Sequence, residues 1–342
     1  MYRSEVTIDL GALRRNVRTL RDLAEPAELW AVVKADAYGH GAREVARACL
    51  EDGAAALCVA TAREGADLRA TAPDARIVVM SPVGPGEDEL AREAGLELCL
   101  STPRVPEGVP VHLKVDTGMG RWGMSVDDAF SVPGEGVVGL MSHFATADEA
   151  DHGFAREQIE RFRTVVERFP GVPVHMANSA ATFAFPDARF DAVRCGVALY
   201  GLSPFGDDPA AHGLEPVLSW RSAVALVKTL GPGDSTGYGR AYVAKEEARI
   251  GIVPVGYADG FRRGLIGAQV AVGGMRQHVL AVSMDSLAVG LPDGAEEDAP
   301  VTLIGDGVFA EEHAHQLGTI NYEITCGIRA HPARADWTVV DG

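Results

Sequence analysis

Short apolar segments alternate with helical patterns through the first 200 residues, and this alternation restricts the fold more than any other feature. Strands that are apolar on both faces and joined by helices are typical of a parallel sheet. The apolar segments cover residues 29–34, 56–60, 76–80, 96–100, 111–115, 137–143, 174–177 and 192–195. They predict an α/β fold, a (β/α)8 TIM-type barrel over residues 10–213.

One connection departs from this alternation. Residues 101–110, STPRVPEGVP, join two predicted strands. The segment is too short and too rich in proline for a crossover helix. We therefore expect the barrel to lack one helix.

The pattern changes after Gly213, where apolar segments are separated by GPG, GG and PDG turns. This indicates an all-β or mostly-β domain over residues 214–342, beginning with one long strand, Leu218–Leu230. A short strand within residues 1–9 is expected to join it. His313 and His315 have no companions at metal-binding spacing, so we interpret them as surface residues and predict no metal site.

Composition excludes some partners and favours one compartment. The net charge of −17, without a basic tail, argues against nucleic acid. No apolar stretch approaches the roughly 20 residues of a membrane span, and MYRSEVTIDLGAL lacks the apolar core of a signal peptide. The five cysteines show no metal spacing, which favours a reducing cytoplasm.

The stretch AVVKADAYGHG, residues 31–41, places Lys34 directly after a buried strand. Functional residues of parallel α/β proteins lie at the carboxyl ends of strands. A lysine there can form a Schiff base with an aldehyde cofactor if its surroundings let it lose a proton. Taken alone, the pattern is better explained by a surface lysine.

Other strands are predicted to bring polar side chains to the same edge. In HLKVDTGMGR, residues 112–121, alternation puts His112, Lys114 and Asp116 on the inner face, and the glycine-rich loop presents Arg121. An inward lysine needs a partner or a modification. A purely structural Lys114–Asp116 pair is the alternative.

The later strands end in further polar groups. His143 lies at the end of one predicted strand. The next strand ends with His175, followed by Asn178 and Ser179, and the last ends with Arg194, followed by Gly196. Small residues after Ser179 and around Gly196 leave backbone N–H groups available for a phosphate. Each residue alone is ordinary, but together they indicate one functional edge.

Together these stretches resemble the alanine racemases, the fold-type III family that depends on pyridoxal 5′-phosphate. The resemblance runs from residue 7 to residue 323. It is carried by TIDLGALRRNV, AVVKADAYGHG, HLKVDTGMGR, SHFATADE, HMANSAAT, VRCGVALYG, GYGRAY, VGYADG, SMD and INYE.

The resemblance implies a homodimer that interconverts L- and D-alanine with two bases, supplying D-alanine for peptidoglycan. Lys34 would carry the cofactor and act as one base, and Tyr238 of the partner subunit would be the other. Arg194 would hydrogen-bond the pyridine nitrogen and keep it unprotonated, which favours racemisation over transamination.

The resemblance also implies supporting roles around the cofactor. Cofactor contacts are assigned to Tyr38, Asn178, Ser179, Gly196 and Val197. His143 would pair with Arg194, and a carbamylated Lys114 would face Arg121, which binds the substrate carboxylate. Met284 binds substrate in the same scheme, with Asp285 and Tyr257 supporting it from the partner subunit.

Some positions depart from the family pattern. Ala330 stands near the place of a phosphate-binding tyrosine, Ser283 and Ser286 flank Met-Asp unusually, and the barrel is short by one helix. We expect these departures to affect the affinity for the cofactor and the reaction rate more than the type of reaction.

Four alternatives remain open at the level of sequence. A racemase of serine or another amino acid, or a related barrel decarboxylase, shares the fold, but decarboxylation needs no second base such as Tyr238. A non-catalytic pyridoxal-phosphate carrier would usually lack the β domain. A metal-dependent barrel hydrolase would need clusters of His, Asp and Glu ligands on several strand ends, and the sequence does not show them.

Overall fold

Eight short parallel strands close into a barrel in chain order, and the last pairs with the first through Leu29 and Val193. The structure is a computed structural model that describes residues 3–329 and 331–342. The predicted departure at Ala330 lies outside the described residues. After an N-terminal strand β1 (Glu5–Asp9), the barrel strands are β2 (Glu28–Val32), β3 (Ala56–Val59), β4 (Arg76–Val79), β5 (Glu97–Leu100), β6 (Val111–Lys114), β7 (Val137–Met141), β8 (Val174–His175) and β9 (Ala192–Cys195).

Helices connect most of these strands, and the predicted gap is confirmed. Within the described part of the chain, no helix lies between β5 and β6. The helices are α1 (Leu10–Ala24), α2 (Lys34–Gly39), α3 (Ala42–Glu51), α4 (Ala62–Arg69), α5 (Glu87–Glu93), α6 (Val126–Ser131), α7 (Gly153–Arg168) and α8 (Ser179–Ala184), with 3-10 turns at Pro186–Ala188, Val197–Tyr200 and Pro209–His212. The prediction of a barrel with one helix missing is therefore correct.

The barrel interior is not uniformly apolar. The strands are buried along nearly their whole length, as both-face burial requires. Among the buried residues are His112, Lys114, His175 and Arg194, on β6, β8 and β9. Buried polar groups need hydrogen-bond partners, so each of these four side chains must find one inside the barrel.

The remaining strands form a nine-stranded sheet and a small two-stranded one. Residues 3–12, Gly206–Pro209 and Pro216–Gly342 belong to this β unit, and Leu13–Phe205 with Ala210–Glu215 to the barrel unit. The strands are β10 (Leu218–Ala223), β11 (Leu226–Leu230), β12 (Ser235–Thr236), β13 (Tyr242–Val243), β14 (Ala248–Val253), β15 (Gln269–Val272), β16 (Met275–Val282), β17 (Leu287–Gly290), β18 (Pro300–Ile304) and β19 (Asp336–Val340). Strand β1 lies between β10 and β19.

The prediction of one strand over Leu218–Leu230 is wrong. The segment divides because the Val224 N–H donates to Ala299 O, whereas the next N–H, of Ala225, donates to Ile252 O. The chain thus passes from one neighbour to another, and β10 pairs with β18 while β11 pairs with β14. The apolar pattern of the sequence continues through this segment, so it does not indicate that the neighbouring strand changes here.

The second unit is also not all-β. It contains α9 (Ala310–Leu317), α10 (Asn321–Cys326) and a 3-10 turn at Arg263–Leu265. Acidic residues in the first turn and a left-handed glycine after the last turn define α9, and both are ordinary helix signals.

The surface assignment of His313 is wrong as well, because it lies on α9, packs against Phe261 and is buried. Burial lowers the pKa of His313 to about 4. His315 is exposed, as expected.

No helix in the described ranges has both the length and the apolar character that crossing a membrane would require.

Candidate active site

Lys34 begins the turn that follows β2, and the backbone of this turn is left-handed. Residues 35–38, none of them glycine, have φ between 52° and 55°. The left-handed region costs an L-residue about 1–2 kcal/mol, so surrounding contacts must hold the turn. The Ala35 N–H donates to Glu64 Oε1 (2.9 Å), and Asp36 Oδ1 accepts a backbone N–H at the start of α3 (2.7 Å). These contacts fix Lys34 at the carboxyl end of β2.

Replacing Glu64 by alanine is expected to lower the free energy of unfolding by about 2 kcal/mol, because hydrogen bonds to a charged group are lost. The carboxylate also accepts the Ala60 N–H (2.7 Å), so it joins the Lys34 turn to the loop before α4. Urea unfolding measures the change, and Asp67→Ala, at an exposed position of the same helix, is the control. Equal unfolding free energies for the two variants would contradict the role of Glu64.

Arg194, on β9, is a buried guanidinium whose two terminal nitrogens are held by the barrel. Nη1 donates to His175 Nδ1 (2.9 Å) and to the His175 carbonyl (2.8 Å). Nη2 donates to the carbonyls of Ser142 (2.9 Å) and Met176 (3.1 Å) and to His143 Nδ1 (3.2 Å). Among the described residues, no acceptor is hydrogen-bonded to the Nε–H of Arg194. Arg194 can therefore offer one N–H to a ligand acceptor.

His143 is neutral at physiological pH. Burial lowers the pKa of its imidazole well below the usual value, and the nearby positive charges, Arg194 first, lower it further. Since a guanidinium only donates, His143 Nδ1 accepts from Arg194 and the ring proton is on Nε2. The predicted pairing of His143 with Arg194 is present.

Lys114 does not pair with Asp116, which overturns the structural alternative. Its Nζ donates to the Met80 carbonyl (2.9 Å), and the Asp116 carboxylate accepts the N–H groups of Gly118 and Gly120 instead. Burial is the main cause that lowers the Lys114 pKa to about 8, and nearby positive charges add to it. Lys114 is therefore mostly protonated at pH 7, but a minority, about a tenth, is the neutral amine.

Replacing Lys114 by methionine is expected to raise the free energy of unfolding by about 1–2 kcal/mol at pH 7. The folded pKa of about 8 lies below the ordinary 10.5, so between these values the unfolded chain binds more protons and stability rises with pH. The buried ammonium therefore lowers the free energy of unfolding by its full amount below pH 8, and by progressively less as the pH rises to 10.5. The gain from the variant should therefore disappear above pH 10.5.

Urea unfolding of both proteins across this pH range, in carbonate-free buffer, measures the difference. Lys228→Met, at an exposed position of β11, is the control and should change little at any pH. A Lys114→Met gain that is independent of pH would mean that packing, and not charge, is responsible.

Four cations act on the same small region of the barrel. Arg194, Arg121, Lys114 and Lys34 all lower the His143 pKa, so their charges converge there. The whole chain carries a net charge of −17, which makes this local positive field distinctive. Such a field favours an anionic ligand.

The predicted phosphate contacts also come together. Ser179 Oγ accepts the N–H groups of Gly196 (3.0 Å) and Ala198 (3.4 Å). A Cβ on Gly196 would stand 2.6 Å from the phenol oxygen of Tyr38, so only glycine lets this ring approach the backbone. The hydroxyls of Ser179 and Tyr38 therefore both lie beside Gly196, next to Val197, and hydroxyl groups suit a phosphate.

Asn178 has a local structural contact. Its side-chain oxygen accepts the Ala181 N–H (2.9 Å) and caps α8. This orients the helix start that carries Ser179.

The other predicted residues belong to the β unit. Tyr238, Met284 and Asp285 line one surface depression, together with Gly237, Ser283 and Ser286. Tyr238 is 74% exposed, and Met284 and Tyr257 are also exposed. Asp285 Oδ1 accepts from Arg334 Nη2 (2.8 Å), which holds the carboxylate in place.

Two acidic residues of the barrel unit were missed by sequence reasoning. Glu64 carries a signal, since Thr61 and Glu64 form the T-x-x-E capping box at the start of α4. Glu97, which opens β5, carries a weaker one, a carboxylate within an apolar strand. Neither signal indicates that Glu64 holds the Lys34 turn or that Glu97 is hydrogen-bonded to His112.

Comparisons with known proteins agree with this geometry. The model of the alanine racemase N-terminal domain matches residues 8–204, and that of the alanine racemase C-terminal domain matches residues 217–335. An alanine racemase of Streptomyces coelicolor is 41% identical, over 98% of this chain and 96% of the relative.

Solved structures are similar over almost the whole chain. The alanine racemase of Streptomyces lavendulae aligns with a TM-score of 0.92 at 36% identity, covering 100% of this chain and 98% of that one. The alanine racemase of Bartonella henselae, with covalently bound pyridoxal phosphate, aligns with a TM-score of 0.90 at 28% identity, covering 98% and 99%. The chain therefore belongs to the alanine racemase family and is an amino-acid racemase, an isomerase.

Proposed function

We propose that this protein interconverts L- and D-alanine with pyridoxal 5′-phosphate and two bases, Lys34 and Tyr238 of the partner subunit. The observation that carries the proposal is the state of Arg194, whose terminal nitrogens are occupied by the barrel while Nε–H is left over. A single N–H donor fits the ring nitrogen of this cofactor, and the hydroxyls of Ser179 and Tyr38 beside Gly196 suit its phosphate. The Bartonella henselae relative, with covalently bound pyridoxal phosphate, supports the same cofactor here.

The proposed division of roles follows from the chemistry of each side chain. When bound, pyridoxal phosphate supplies an aldehyde that reacts with amino groups and a ring that withdraws electrons from the substrate α-carbon. Lys34 Nζ takes or returns the α-proton on one face, and the phenol oxygen of Tyr238 of the partner subunit serves the other. Arg194 donates to the ring nitrogen without giving up its proton, which limits electron withdrawal.

The remaining residues bind and orient. Tyr38, Ser179 and the backbone at Gly196 and Val197 hold the phosphate, and Asn178 caps the helix that presents Ser179. Arg121 binds the substrate carboxylate. Carbamylation of the partly neutral Lys114 would give Arg121 an anionic neighbour, since only a free amine reacts with carbon dioxide.

A homodimer with shared sites is part of the proposal. Tyr238, Tyr257 and Met284 are large side chains that the chain itself leaves exposed. A second copy would cover them and deliver Tyr238, Met284 and Asp285 to the first copy's barrel. Four cysteines are buried thiols outside any disulfide, which favours a reducing cytoplasm. A supply of D-alanine for peptidoglycan rests on the family alone.

The optical rotation of L-alanine, incubated with purified protein loaded with pyridoxal phosphate, tests the proposal. We expect the rotation to decay to zero, and slower or no decay with L-serine. Constant rotation of L-alanine with a protein that shows the colour of the bound cofactor would indicate that the substrate is another amino acid. Constant rotation with a colourless protein would contradict the cofactor assignment.

A further inference from the structure

A chain of buried hydrogen bonds runs from Arg194 through the barrel interior to a carboxylate on β5. Arg194 Nη1 bonds to His175 Nδ1 (2.9 Å), and His175 Nε2 bonds to His112 Nδ1 (2.8 Å). His112 Nε2 then bonds to Glu97 Oε2 (2.7 Å). Arg76 Nε donates to both Glu97 oxygens (2.9 and 2.8 Å) and closes the far end.

The two ends fix the direction of every bond in this chain. A guanidinium only donates, so His175 Nδ1 accepts from Arg194 and carries no proton. The His175 proton is therefore on Nε2 and is donated to His112 Nδ1. His112 must then hold its own proton on Nε2, where the Glu97 carboxylate accepts it. Reversing either histidine would place a donor against a donor.

The protonation states agree with this direction. Burial lowers the pKa values of His112 and His175, so both rings are neutral at physiological pH. Burial raises the Glu97 pKa, but the hydrogen bonds from His112 and Arg76 outweigh it, and the net shift is downward. Glu97 is therefore an anion, which is the acceptor state that the chain requires.

Packing leaves the rings little freedom. Trp30 lies 4.5 Å from the His175 ring and 5.9 Å from the His112 ring, centroid to centroid. Gly139 lies against His112, and a Cβ there would collide with the imidazole. Among the described residues, no carboxylate pairs with Arg194 directly. Glu97 is thus the anion connected to the Arg194 cation by an unbroken line of hydrogen bonds.

We propose that Glu97 and His112 are positioning residues that hold His175 as an acceptor and thereby orient Arg194 Nε–H toward the cofactor ring nitrogen. The proposal deepens the proposed function and rests on it for the identity of the ligand. The orientation itself depends only on the protein. If Glu97 becomes an amide, an N–H can face His112 Nε2 and the whole chain can reverse. His175 Nδ1 would then carry a proton toward Arg194, which would have to turn away.

The test combines a structural readout with a binding readout on the full-length protein loaded with pyridoxal phosphate. Nitrogen-15 NMR of the histidine rings reports which nitrogen is protonated, with and without the cofactor. Equilibrium dialysis and the absorption spectrum report cofactor affinity and ring environment. The variants are Glu97→Gln and His112→Phe. The control is Glu28→Gln. Glu28 is the first residue of β2, and its carboxylate accepts the Trp30 indole N–H (2.8 Å) but is not part of the hydrogen-bond chain from Arg194 to Glu97.

We expect the wild-type protein to show Nε2–H on both His112 and His175. Glu97→Gln should mix the His175 states, weaken cofactor binding about tenfold and shift the cofactor absorption band, in keeping with one charge-assisted hydrogen bond. His112→Phe keeps a ring of similar size and should have the same effects on affinity and absorption. Glu28→Gln should change none of these readouts.

An Nδ1–H signal from wild-type His175 would overturn the proposal without any variant. So would a Glu97→Gln protein that matches Glu28→Gln in ring protonation, affinity and spectrum. Wild-type protein that shows the expected histidine states but binds no pyridoxal phosphate would instead contradict the proposed function. The two failures are therefore distinguishable.

Discussion

Replacing Lys34 by alanine is expected to abolish both the bound chromophore and racemisation, with a loss of rate of at least about 10⁴-fold. The lysine is assigned two functions, attachment of the cofactor and proton transfer at the α-carbon, so its loss removes both. Absorption spectra after dialysis with pyridoxal phosphate measure the first, and polarimetry of alanine measures the second.

The composition of the chain makes this test unusually clean. The sequence has four lysines, Lys34, Lys114, Lys228 and Lys245. The last two are exposed residues of the β unit. Borohydride reduction makes a lysine–cofactor bond permanent, and peptide mapping then has only four possible sites. Lys228→Ala is the control and should keep both colour and rate.

Lys114 is the one competitor for attachment, and the structure separates the two lysines. Its lowered pKa of about 8 makes it a chemically capable amine. However, its Nζ is bound to the Met80 carbonyl, whereas Lys34 lies on the strained turn with Nζ 5.8 Å from the centre of the Tyr38 ring. We therefore expect Lys114→Met to keep the chromophore. A mapped cofactor on Lys114, or a coloured Lys34→Ala protein, would refute the assignment.

The barrel and its rim were predictable because parallel strands bring their carboxyl ends to one edge. Once eight apolar segments were recognised, Lys34, His143, Ser179 and Arg194 had to lie near each other. The missing helix followed from the short proline-rich connection alone. These features depend on local pattern and on topology, and both are visible in a sequence.

Features that depend on long-range contacts were not predictable. The left-handed turn after Lys34 contains no glycine among its four strained residues, so no local signal marks it. The turn is held by Glu64, which is remote in sequence. The hydrogen bonds from Arg194 to Glu97 likewise join four barrel strands, and the burial of His313 depends on packing against Phe261. Each required knowledge of which residues meet in space.

Replacing Tyr238 by phenylalanine is expected to keep the chromophore but lower the rate of racemisation about 10²–10⁴-fold, because one general base is removed. The face served by Lys34 keeps its base. In deuterated water, one enantiomer of alanine should therefore still exchange its α-proton, but without inversion. Tyr242→Phe, at a half-buried tyrosine of β13 with no assigned role, is the control. A Tyr238→Phe protein that racemised alanine at the normal rate would contradict the two-base assignment.

The same variant tests whether sites are shared between subunits. Lys34→Ala and Tyr238→Phe chains are each expected to have at most a small residual activity alone, and they can be co-expressed to form mixed dimers. If each site takes Tyr238 from the partner subunit, a mixed dimer has one site with both changes and one intact site. Random pairing should then restore about a quarter of the wild-type sites. If each site were built within one chain, both sites of the mixed dimer would carry one change. No activity would return, and the shared-site proposal would fail even if both bases were correctly identified.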